Sequence, residues 1–149
     1  MKFITTVTDI THDDLVNLLC TATYGSNYFM CAIKKADYYG TELENPDDCR
    51  EDKWAKVLLS GKPIIVRDYY AEDDKDFYGK LPHDYDWNKE CMNYTVTLDD
   101  IKKGLERIFR EGGWGASYVM DLVEDNGGFD LNEAESVLQR IIFGQEIYG

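Results

Sequence analysis

Covalent chemistry in this chain would have to start from two histidines and four cysteines. A nucleophile needs a base within reach. His12 falls at the first position of an expected helix, where its ring should be exposed, and His83 falls in a loop beside Asp84 and Asp86. Cys20, Cys31, Cys49 and Cys91 are scattered and form no C-x-x-C pair. A Cys–His pair through Cys49 or Cys91 would have to be made in space, because nothing in the spacing announces one. Metal chemistry would fall to Asp73, Asp74 and Asp76, which offer hard oxygen ligands. An EF-hand loop needs alternate ligands, a central glycine and a closing glutamate, and neither 73–76 nor 121–133 has that spacing. Gly112-Gly113-Trp114-Gly115 lacks the Lys-Ser/Thr of a phosphate-binding loop and follows a helix rather than a strand, so helix termination accounts for its glycines. The expectation is therefore no catalytic residue, no metal site and no cofactor. A minor enzyme using His83, Asp84 and Asp86 ranks third among the functional readings.

Recognition by an acidic, aromatic surface survives this test. The middle of the chain, from Asp37 to Glu90, reads as an elaborated surface in which tyrosines alternate with acids. Tyr and Trp bury much area at low entropy cost and dominate interface hot spots. The candidate partner-binding face is Tyr69, Tyr70, Glu72, Asp73, Asp74, Asp76, Tyr78, Tyr85, Asp86 and Trp87, with about half of the region's rings expected to fill the core instead.

The elements that position this surface are marked by one device used three times. Thr11-His12-Asp13-Asp14 is an N-cap followed by two carboxylates, with Ile10 and Leu15 spaced as a hydrophobic staple. Leu15, Leu18, Leu19 and Ala22 follow on one helical face. Thr97-Leu98-Asp99-Asp100 repeats it, with Leu98, Ile101, Leu105, Ile108 and Phe109 as the stripe and Gly112-Gly113 as the stop. Asp130-Leu131-Asn132-Glu133 begins a third helix whose stripe is Ala134, Val137, Leu138, Ile141 and Ile142, ended by Gly144. The helix dipole explains the carboxylates in these first turns. A short helix is expected over 114–123 and another over 54–59, closed by Ser60-Gly61. Strands are expected at 28–33, 63–70 and 91–96. Tyr24-Gly25-Ser26-Asn27-Tyr28, where the leucine face stops and the aromatic strand begins, reads as a structural bend. The order predicts an α+β fold: a small antiparallel sheet of about three to four strands packed with an N-terminal helix and a helical C-terminal region, in one domain over 1–149.

The charge narrows the partners. Twenty-nine acids against sixteen Lys and Arg give −13. Such a surface repels a phosphate backbone, which argues against direct nucleic-acid binding and for a basic protein partner, if the charge does more than confer solubility. No apolar run approaches membrane-spanning length, and the first residues, Met1-Lys2-Phe3-Ile4, lack the core of a signal peptide. With four free thiols expected, this places the chain in a reducing cytoplasm, as a monomer or homodimer.

The pattern Ile10-Thr11-x-Asp13-Asp14-Leu15 with Thr21-Ala22-x-x-Gly25-x-Asn27-Tyr28-Phe29 resembles small acidic accessory proteins of bacteriophages and prophages, an uncharacterised family in which this bend often reads Leu-Glu-Gly-Gly-Ile-Asn-Tyr-Trp. Thr97-Leu98-x-x-Ile101-x-x-Gly104-Leu105, Phe129-Asp130, Glu133-Ala134 and Phe143-Gly144-x-x-Ile147-Tyr148-Gly149 also fit. The resemblance covers both ends, about half the chain; Tyr24 and Ser26 replace the usual Glu and second Gly, so no role of that glutamate carries over. The resemblance implies a setting, the bacterial host cytoplasm. Combined with the charge, it leads to the expectation of an inhibitor of a host defence protein, such as a CRISPR or restriction effector, acting by nucleic-acid mimicry or by blocking shape. The alternative is a protein that sequesters a small molecule such as a nucleotide signal. Its rings would stack on the base, and Lys62, Arg67 and Lys89 would have to converge on the phosphate.

Overall fold

The computed structural model describes residues 10–26, 28–68, 93–124 and 130–148. In chain order the elements are α1 (His12–Thr23), β1 (Phe29–Ala32), a 3-10 turn (Lys35–Asp37), α2 (Arg50–Leu59), β2 (Ile64–Asp68), β3 (Asn93–Val96), α3 (Leu98–Glu111), α4 (Gly113–Val123) and α5 (Leu131–Phe143). This is the α+β order expected: helix, antiparallel sheet interrupted by a helix, then helices.

The caps form as their residue types dictate. Thr11 Oγ1 accepts the Asp14 N–H at 3.1 Å while Asp14 Oδ2 accepts the Thr11 N–H at 3.0 Å. Thr97 and Asp100 reproduce that reciprocal pair at 3.1 and 2.9 Å, and Asp130 accepts the Glu133 N–H at 2.9 Å. Each bond satisfies an amide that the first helical turn leaves without an intrahelical partner.

Helix α2 starts four residues before the expected Trp54. Its N-cap is Cys49, whose thiol takes the Asp52 N–H while Asp52 closes back onto the cap. Cysteine is not an ordinary capping residue, so the box was invisible as a pattern. Its other end stops as expected: Gly61 has φ +92°, and Gly61 and Lys62 donate their N–H groups to the Leu58 and Val57 carbonyls at 3.0 and 3.2 Å. These are the two bonds of a Schellman motif.

The sheet order is β1-β2-β3, antiparallel throughout. The register pairs Phe29 with Asp68, Cys31 with Val66, Ile64 with Val96 and Val66 with Tyr94. Phe29, Ile64, Val66 and Val96 are buried, and Met30 and Arg67 on the other face are exposed. The alternation of strand side chains thus turns one face inward. It also carries Asp68 inward, onto the apolar face.

The core joins Leu15, Leu18, Leu19 and Ala22 of α1 to Trp54, Val57 and Leu58 of α2, Ile101, Leu105 and Ile108 of α3, Val119 and Leu122 of α4, and Val137 and Leu138 of α5. Each large side chain taken out of water contributes about 1.5–3 kcal/mol. Helix α5 lies deepest, with every residue from Ala134 to Gln139 buried, polar positions included. Gly104 lets α3 approach it: a Cβ there would lie 2.7 Å from Ile141 Cγ1 and 3.2 Å from Ile141 Cα.

Two expectations about surface need correction. Tyr38, read as part of an elaborated surface, is 1% exposed. Its hydroxyl stands 2.8 Å from the Asp48 carboxylate and 3.0 Å from the Asn45 carbonyl, and it accepts the Asn45 N–H at 2.9 Å. A buried phenol needs such partners, and the loop before α2 wraps around it to supply them. His12, expected exposed, is half-buried against α2. The strands span 29–32, 64–68 and 93–96; the expected extensions to 69–70 and 91–92 lie outside the described residues.

Candidate functional site

All ten residues of the expected partner-binding face, Tyr69, Tyr70, Glu72, Asp73, Asp74, Asp76, Tyr78, Tyr85, Asp86 and Trp87, lie outside the described residues, as do His83, Asp84, Lys89 and Cys91. The described residues give the root from which that segment departs and the chemistry around it.

A titratable constellation among the described residues joins α1 to α2 at their first turns. His12 Nε2 lies 2.9 Å from Asp52 Oδ1. The other oxygen of the same carboxylate accepts from Cys49 Sγ at 3.2 Å and from the Cys49 N–H at 3.3 Å. Space has therefore brought a cysteine and a histidine together, with a carboxylate between them. A nucleophilic triad places the imidazole between nucleophile and carboxylate. Here the thiol proton faces an anion, and the Cys49 thiol sits above its ordinary value of 9.0: the Asp52 backbone N–H acts to lower it, and the carboxylates of Asp52 and Glu51, with partial desolvation, outweigh that. Bonding to His12 and to Cys49 holds the Asp52 carboxyl below its usual range. The arrangement serves as a clasp between two helix starts and does not make a nucleophile–base pair.

Beside it, Lys56 Nζ pairs with Asp48 at 2.6 Å. Lys53 Nζ bonds the Tyr39 hydroxyl at 3.0 Å and stands 5.5 and 5.2 Å from the Tyr38 and Tyr39 ring centroids. These cations serve the loop before α2. Of the described basic residues expected to meet an anionic ligand, Arg67 is exposed on the outer face of β2 and Lys62 follows α2. Cys20, Cys31 and Cys49 are free thiols, and burial pushes the Cys31 thiol up to about 12. Among the described residues, no three His, Cys, Asp or Glu side chains are grouped to hold a metal ion. No helix formed by the described residues is long and apolar enough to cross a membrane.

At the end of β2, one residue before the candidate segment, Asp68 is fully buried. It accepts the hydroxyl of Tyr148. The Tyr148 ring stacks on Tyr28, with centroids 4.7 Å apart and planes at 20°. The bend at Tyr24–Tyr28 is held from the same side. Gly25 is left-handed at φ +72°, and Ser26 Oγ accepts the N–H groups of Tyr28 and Phe29 at 3.0 and 3.3 Å. Burial raises the Glu135 carboxyl on α5 above its ordinary value, and the Ser26 hydroxyl acts to lower it. Strand alternation was the signal that could have found Asp68, since Ile64, Val66 and Asp68 share one face. Nothing local marked Gln139 or Glu135 as inward. A separate groove of about 250 Å³ runs between β3 and α5, lined by Tyr94, Thr95, Val96, Asp100, Ile141 and Ile142.

Set against protein-family models, curated proteins and solved structures, the chain matches none.

Proposed function

We propose that this chain is a binding protein of phage origin that acts by docking an acidic, aromatic surface onto a basic host protein, such as a nucleic-acid-binding defence effector, in the bacterial cytoplasm. The observation that carries the reading is how the carboxylates are distributed. In the described residues many are already engaged. Asp14, Asp52, Asp100 and Asp130 cap helices. Asp48, Glu51 and Asp99 pair with Lys56, Arg50 and Lys103. Asp68 and Glu135 point inward. Between residues 69 and 92 the sequence adds seven acids against three lysines, interleaved with Tyr69, Tyr70, Tyr78, Tyr85 and Trp87. Clustered negative charge steers a basic partner at rates that fall with salt.

Affinity capture from host lysate at low and at high salt tests this. A basic protein retained at low salt and released at high salt is expected. Capture of no protein at either salt would reject docking. The sequestration reading predicts instead a tight small-molecule ligand, detectable by mass spectrometry of the protein after denaturation.

A further inference from the structure

Helix α5 is complete at Phe143. Gly144 takes the left-handed C-cap at φ +77° and its N–H returns to the Arg140 carbonyl, which also accepts from the Arg107 guanidinium. Gly144, Gln145 and Glu146 are then exposed, Ile147 is half-buried and Tyr148 is 4% exposed. The segment 144–148 is therefore a strap: a short exposed tether carrying a buried anchor.

The anchor sits in a slot built by Gln139 and Phe143 of α5 together with Tyr28 and Asp68. Gln139 Oε1 accepts the N–H groups of Ile147 and Tyr148, both at 2.7 Å, and its amide nitrogen donates to the Tyr148 carbonyl at 3.3 Å. Gln139 is itself 2% exposed. Tyr28 stacks on the anchor ring, Phe143 meets it edge-on at 6.3 Å and 89°, and buried Asp68 takes its hydroxyl. The slot thus reads a backbone at three points and one tyrosine. None of those interactions involves the tether, so the same strap on a second copy satisfies all of them.

We propose that the strap is exchangeable, and that the slot accepts Ile147–Tyr148 of a second copy of this chain to give a strap-swapped dimer. The hydrogen bonds and ring contacts named above are remade in trans, so swapping reaches a dimer at little net cost. A further feature favours it. The tether is only three exposed residues, Gly144 to Glu146, and short hinges encourage exchange.

The test shortens the tether by deleting Gln145 and Glu146, so that the strap no longer reaches its own slot. Light scattering should give twice the monomer mass, and the amides of Ile147 and Tyr148 should keep their wild-type protection from hydrogen exchange. A monomer, or a dimer in which those amides lose protection, overturns the proposal. A second arm uses full-length chains and covers a deletion that fails to fold. Tyr148→Ala keeps the slot and loses the anchor, and Gln139→Ala keeps the anchor and loses the slot. Mixed, they should form a one-to-one dimer that neither forms alone; absence of the mixed dimer also overturns it.

Discussion

Burial holds the Glu135 carboxyl above its ordinary value of 4.5, against the opposing pull of the Ser26 hydroxyl. Because the folded value exceeds the unfolded one, protonation favours the fold. That contribution is full below 4.5 and is lost as pH rises through the folded value. Glu135→Gln should therefore be more stable than the wild type near neutral pH and lose less stability on going there from mild acid. Urea denaturation across that range checks it, and a variant weaker than wild type near neutrality would contradict it. Asp52 has the opposite sign. Its folded value lies below the ordinary 3.8, chiefly through His12, so its contribution holds above 3.8 and disappears as pH falls through the folded value. Asp52→Asn should destabilise the protein above pH 3.8 and flatten the acid limb of the stability profile, which the same denaturation series would record. Neither role could be read from sequence, because His12 and Asp52 meet across 40 positions and Glu135 occupies a helix position that a surface residue would equally fill.

At the scale of elements, the capped helices were legible because a cap is a local contract: Thr11 with Asp14 and Thr97 with Asp100 bond within one turn whatever lies around them. The strands were legible by residue type, and their ends were not. The early start of α2 escaped because its box is built on a thiol. Close approach escaped as well. Gly104 adds no side chain to the α3 stripe, yet it is where α3 meets the backbone of α5. Gly104→Ala should force the two helices apart and destabilise the protein by about 1–3 kcal/mol, despite alanine's better helix propensity. Thermal and urea unfolding would show it; a stabilised variant would mean that the helices separate without penalty.

For the whole molecule, the expected arrangement was an N-terminal helix, a small antiparallel sheet of about three to four strands and a helical end, and the described residues form it with three strands. The candidate interface belongs to this scale too, because it depends on summed charge. Replacing Asp73, Asp74 and Asp76 with Asn removes three charges from the −13 of the chain. Partner capture should weaken and lose part of its salt dependence, with the melting temperature nearly unchanged. Unchanged capture would move the interface elsewhere on the protein.

The sequence by itself determined the capped helices α1, α3 and α5, the bend at Gly25 and the sign of the charge. Each follows from neighbours within a few residues or from a plain sum. The tertiary structure alone decided which polar groups face inward. Asp68, Glu135, Gln139 and Tyr38 are ordinary as letters. They become structural only when β2, α5 and the loop before α2 converge on them, because a buried polar group is tolerated only where a distant partner arrives to satisfy it.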